Sequence, residues 1–118
     1  MKNLNIIDRV KTFENACEVL GIGEITFNEN DAKDEIAYKK LKIIYKALNE
    51  GCKPDWSNLA ETKYYPYFKM SPFGFADTLC GAWATCSLTG SHLCGKTDTI
   101  AEYAGRQFED LYKDFMCL

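Results

Sequence analysis

The clearest chemical signal in the chain is Gly90-Ser91-His92-Leu93-Cys94-Gly95-Lys96-Thr97, which satisfies G-x-x-x-x-G-K-[ST]. In a phosphate-binding loop, backbone N–H groups and the lysine cradle phosphates, and the final hydroxyl ligates Mg²⁺. Here the motif follows a predicted strand and opens a predicted helix, whose N-terminus suits an anion. Two features oppose a nucleotide hydrolase. One helix alone follows the motif, so no downstream strand is left to bring a metal-holding aspartate. The segment before it, residues 84–89, also lacks the near-continuous apolar character of a buried parallel strand. The hydrolase using residues 90–97 therefore stands as an alternative.

Other reactive groupings are weaker. His92 is the sole histidine, and Cys80, Cys86, His92 and Cys94 are separated by five, five and one residues, which matches no zinc knuckle. Cys94 and His92 lie two apart on a short predicted strand, but nothing supplies the third, orienting group a nucleophile needs. Glu102, Glu109, Asp110 and Asp114 fall mostly off the apolar stripe of their helix and read as a solvated face. No catalytic residue, metal or cofactor is expected.

Aromatic density is the remaining signal. Tyr64, Tyr65, Tyr67, Phe68, Phe73, Phe75 and Trp83 crowd into residues 64–83, with Trp56 just ahead. On a strand, Tyr65 and Tyr67 point one way and Tyr64 and Phe68 the other. A two-layer domain buries one face of its sheet, so some of these rings belong to an interface, a setting that suits the apolar body and polar tip of tyrosine. The candidate ligand-binding set is Tyr65, Tyr67, Trp83, His92, Lys96 and Arg106. Rings that stack on bases, beside lysines and an arginine for phosphates, make a nucleotide-type ligand chemically reasonable.

The elements that must position these groups are legible in outline. The stripe Ile6, Val10, Phe13, Cys17 and Leu20 predicts a helix over Asp8–Leu20, stopped by Gly21 and Gly23. A second helix takes its caps from Asn28, Asn30 and Asp31, buries Ala37, Leu41, Ile44 and Leu48, is widened by Tyr38 and Tyr45, and closes at Glu50-Gly51. Its Lys39, Lys42 and Lys46 line the opposite, solvated face. Residues 52–61 read as a loop. Strands follow over Tyr64–Met70, Phe75–Thr78, Leu79–Leu88 and His92–Cys94, with Gly74 and Gly81 as bends or bulges. Pro66 assigns the first of them to a sheet edge. A third helix begins near Thr97, with Thr99 and Glu102 at capping-box spacing and Ile100, Ala104, Phe108, Leu111 and Phe115 as its buried stripe. The expected fold is a single α+β domain over residues 1–118: two N-terminal helices, a short antiparallel β-meander, and one C-terminal helix packed on the sheet.

With 118 residues and a net charge of −3, the global field recruits neither double-stranded nucleic acid nor an anionic membrane. No apolar run approaches a bilayer span, and the charged residues Asp8 and Arg9 come too early for a signal peptide. The six cysteines are therefore expected as free thiols in a cytosolic protein.

Residues 47–58 (ALNEGCKPDWSN), 63–68 (KYYPYF), 93–97 (LCGKT) and 101–115 (AEYAGRQFEDLYKDF) resemble a group of small uncharacterised proteins of gut bacteria, their phages and prophages. The similarity spans roughly residues 36–118 and implies an accessory protein of a mobile element in the bacterial cytosol. It carries no catalytic assignment, and it implies a large apolar residue where this chain has Gly95. The expected function is non-enzymatic. The protein, as a homodimer or larger homo-oligomer, would bind a host protein or sequester a nucleotide-type ligand through its aromatic sheet. A structural or assembly component of a virion is a further alternative.

Overall fold

The N-terminal apolar stripe builds two helices rather than one, α1 (Ile6–Arg9) and α2 (Phe13–Leu20). The computed structural model describes residues 5–23, 25, 27–51, 62–71, 74–83 and 93–116. The predicted helix over Asp8–Leu20 breaks because Val10 leaves the helical region (φ −118°, ψ 86°) and Thr12 starts afresh as an N-cap. Thr12 Oγ1 accepts the Asn15 N–H at 3.1 Å, while Asn15 Oδ1 accepts the Lys11 N–H at 3.2 Å. This reciprocal cap satisfies donors that a continuous helix would bond internally. At the other end Gly21 is left-handed (φ 68°), and its N–H and that of Ile22 return to Glu18 and Cys17 in a Schellman close.

Helix α3 (Lys33–Leu48) is the spine of the fold. Its N-cap is Ala32, not the predicted Asn or Asp, and only the Glu35 half of a capping box forms, with Oε1 accepting the Ala32 N–H at 3.3 Å. Asp31 is drawn away by an ion pair with Lys39 at 2.7 Å. The predicted stripe is buried as a set (Ala37, Leu41, Ile44, Leu48), and Tyr45 joins it with no exposed surface. Tyr38 is half-buried and stacks on Phe115.

Strands β1 (Lys63–Ser71) and β2 (Gly74–Trp83) pair antiparallel, so the chain mixes helix and strand as expected. β2 runs unbroken through Thr78 and Leu79, where two strands were predicted, and Gly81 stays in register opposite Tyr65. The irregularity falls instead between Lys69 and Met70. On its other side β1 makes one bridge among the described residues, Tyr64 to Gly95. Pro66 shares the parity of Tyr64, so its missing N–H falls on that outer edge and no β1–β2 bond is lost. The predicted loop at 52–61, residues 84–88 and His92 lie outside the described residues. Leu93 and Cys94 form no strand.

The C-terminal helix is also divided, into α4 (Asp98–Gln107) and α5 (Glu109–Phe115). Phe108 swings to φ −111°, ψ 32° at the joint while its own N–H still bonds Ala104 O. The bend shifts the helical phase, so Tyr112 takes the buried position and Leu111 and Phe115 are only half-buried. Capping falls to Thr97, whose Oγ1 accepts the Ile100 N–H at 3.1 Å, rather than to Thr99 with Glu102. α4 lies across both strands, and α5 packs on α3. Between them the Tyr45 and Tyr112 hydroxyls share a buried hydrogen bond, and Phe68 tilts onto Tyr112 at 4.9 Å.

Candidate functional site

The C-terminus of α3 and the N-terminus of α4 meet at residues 94–97, the second half of the G-x-x-x-x-G-K-T match. Helix α3 ends in a Schellman close whose left-handed position is Glu50 (φ 54°) rather than glycine. That turn aims Asn49 and Glu50 at the corner. Asn49 is buried, and its Nδ2 donates to Cys94 O at 2.7 Å while its Oδ1 accepts the Lys96 N–H at 2.7 Å. The Gly95 N–H donates to Tyr64 O at 2.7 Å. Lys96 Nζ reaches the Glu50 carboxylate at 2.6 Å, and Thr97 Oγ1 is the α4 cap.

Four groups that a phosphate cradle would use are thus engaged by the fold. Gly95 and Lys96 turn their N–H groups inward, Lys96 has a carboxylate partner, and Thr97 holds a helix end. Beside the corner lies an open cleft of about 530 Å³, between the first turn of α1 and the first turn of α4. Glu50 and Asp98 both line it, so negative charge offsets the one lysine. The hydrogen bond and charge of Lys96 hold the Glu50 carboxyl below the usual carboxylate range. Its stabilising effect is therefore present at neutral pH and fades as acid protonates it.

Glycine at position 95 is a packing requirement. A Cβ there would stand 2.9 Å from Ile100 Cγ2 and 3.0 Å from the Ala101 N. The large apolar residue implied by the resemblance has no room in this chain.

The other candidate residues separate. Tyr65 sits in β1 opposite Gly81 and is half-buried. Tyr67 pairs with Leu79 and Trp83 with Lys63 along the same ladder. Arg106 is on α4 and its Nη2 donates to Thr78 O at 3.0 Å, anchoring the helix to β2. That places it on the α4 side of the hairpin, the face of Pro66 and Thr78, whereas Tyr65 has the opposite parity. His92 lies outside the described residues. Of the imagined zinc quartet, Cys94 alone has a described side chain, and no three His, Cys, Asp or Glu among the described residues could hold a metal. Also among the described residues, no helix is long and apolar enough to cross a membrane.

Asn49 and Glu50 escaped sequence reasoning, which took Glu50-Gly51 as a helix stop and nothing more. The left-handed turn was readable there; the partner that it faces was not.

Cys17 and Cys94 are both free thiols. Burial pushes Cys94 up to about 11, with Lys63 opposing. A thiol kept neutral by the fold stabilises it below the ordinary value of 9.0, and that contribution is lost as pH rises from 9.0 toward about 11. The buried Tyr112 phenol, also pushed up by burial, adds a further loss at higher pH. Denaturation midpoints are expected to fall from pH 9 upward and to fall less steeply in Cys94→Ala. An identical slope in the variant would show that Cys94 is not the group responsible.

No protein-family model, curated protein or solved structure matches the chain.

Proposed function

We propose that the protein is a non-enzymatic binding protein of a phage or other mobile element, acting in the bacterial cytosol. It holds its partner on the hairpin face that carries Tyr65, with Tyr67 and Trp83 in the same ladder and Lys96 at the corner where Gly95 bridges Tyr64; His92, of the same candidate set, lies outside the described residues. The partner is a host protein or a nucleotide-type ligand, and the hairpin is taken as the start of a longer meander. One observation carries the choice of face. On the α4 side of the hairpin Pro66 and Thr78 are buried, with Gly105 in the space between them. Along the other parity exposure grows from buried Lys63 through half-buried Tyr65 to exposed Lys69. Inward-turned donors at residues 95–96 favour binding over phosphoryl chemistry.

A ring in such a surface also suits self-association, most simply as a two-fold dimer. Native mass spectrometry of protein purified from the organism that encodes it is expected to show a mass above the 13.4 kDa monomer, from a second subunit or a bound molecule. Tyr65→Ala should remove that species while the thermal midpoint stays near wild type, since a hot-spot truncation costs about 2 kcal/mol or more of affinity. A core ring cut to alanine instead costs about 3–5 kcal/mol of stability. A bare monomer at high micromolar concentration, or a Tyr65→Ala variant that melts far below wild type and still assembles, would overturn the proposal.

A further inference from the structure

A second cleft, of about 410 Å³, shares no lining residue with the cleft beside the residue 94–97 corner and belongs to no site described above. It lies where α2 and the segment after it meet α3. Its walls are apolar: Phe13 and Cys17 from α2, then Ile22, Ile25 and Phe27. Ile22 is one of the two large hydrophobic residues exposed among the described residues. The volume is within the range of small-molecule sites, roughly 300–1,000 Å³.

Two features set the charge that such a cleft accepts. Phe13 and Phe27 form an angled pair, centroids 6.2 Å apart and planes inclined by 42°. Lys40 Nζ stands over both, 5.5 Å from one centroid and 5.7 Å from the other. An ammonium group thus already occupies the faces of two rings, whose quadrupoles attract cations. The second feature is Glu14 and Glu18, one turn apart on α2, both exposed and both in the cleft lining. Neither forms an ion pair among the described residues. Their field reaches the wall at Cys17, whose thiol is raised by burial and then by these two carboxylates. Two carboxylates against one lysine leave the lining with a net negative charge.

We infer that this cleft binds a hydrophobic organic cation, a quaternary or alkylated ammonium on an apolar body, which takes the place of Lys40 over Phe13 and Phe27. The exchange favours the ligand because a lysine ammonium is compact and strongly hydrated, and its flexible stem can carry it out to water. An alkylated cation has less hydration to lose, fills the apolar walls and leaves both carboxylates facing positive charge.

Benzyltrimethylammonium, with benzyl alcohol and benzoate as neutral and anionic probes, tests the inference by titration under ¹H–¹⁵N NMR at low salt. The cation is expected to shift resonances of residues 13–27 and of Lys40, and to bind about tenfold tighter than either comparison probe. Lys40→Met removes the competing charge and should tighten the cation about threefold, whereas Glu14→Gln and Glu18→Gln should each loosen it about threefold. Benzoate binding as tightly as the cation, shifts outside the cleft, or a Lys40→Met variant that weakens the cation would overturn it. Wild-type selectivity decides the question even where a variant misfolds, and either outcome leaves the hairpin proposal untouched.

Discussion

Replacing Gly105 with alanine is expected to destabilise the protein, and replacing it with leucine to abolish the fold. Intrinsic helix propensity points the other way, since alanine is favoured over glycine by about 1 kcal/mol in a helix interior. Packing overrides it. A Cβ at residue 105 would stand 2.7 Å from both Pro66 Cβ and Thr78 Cγ2. Neither atom is the loose end of a long side chain, because one belongs to a proline ring and the other to a buried β-branched residue, and both sit in paired strands. Forcing an extra carbon into such a contact costs about 1–3 kcal/mol. Leucine adds three further carbons, which fit only if α4 lifts from the hairpin and uncovers Ile100, Ala104 and Phe108. Urea denaturation followed by circular dichroism measures both effects. A Gly105→Ala variant as stable as wild type would mean that α4 and the hairpin leave room for a methyl group at Gly105.

Asn49→Ala should have the next largest effect, although it deletes a single small polar group. That side chain bonds the Cys94 carbonyl and the Lys96 N–H at once, in a buried position 4% exposed. Alanine leaves one acceptor and one donor of the main chain unsatisfied, at about 1–3 kcal/mol each. The two together would cost about 2–6 kcal/mol, a large share of the stability of a domain this size. Asn49→Asp separates hydrogen bonding from shape. Its carboxylate can still accept the Lys96 N–H, but it turns an oxygen toward the Cys94 carbonyl, so it should be no better than alanine. Equilibrium unfolding of both variants checks this. A loss of only a few tenths of a kcal/mol in Asn49→Ala would show that water replaces the amide and that the corner is not held by Asn49.

Local periodicity was readable from the chain alone. The α3 stripe of Ala37, Leu41, Ile44 and Leu48 is buried to the last member, because a 3.6-residue repeat of apolar side chains has one way to leave water on a helix. The first aromatic strand was found within a residue at each end, and Pro66 sits where its missing N–H takes no bond from the β1–β2 ladder. The Gly21 stop was legible for the same kind of reason. Helix breaks were not. Val10 and Phe108 keep the apolar spacing of a continuous helix and both are buried, yet both leave the helical region. Thr99 and Glu102 had capping-box spacing, but Thr97 took the cap because Gly95 is pinned to Tyr64 two residues earlier. The G-x-x-x-x-G-K-T match shows the division most clearly. Residue types alone offered a phosphate cradle. Whether its N–H groups faced a ligand or the protein depended on Asn49 and Tyr64, residues remote in sequence, and only the packing of α3 and β1 against the corner turned Gly95 and Lys96 inward.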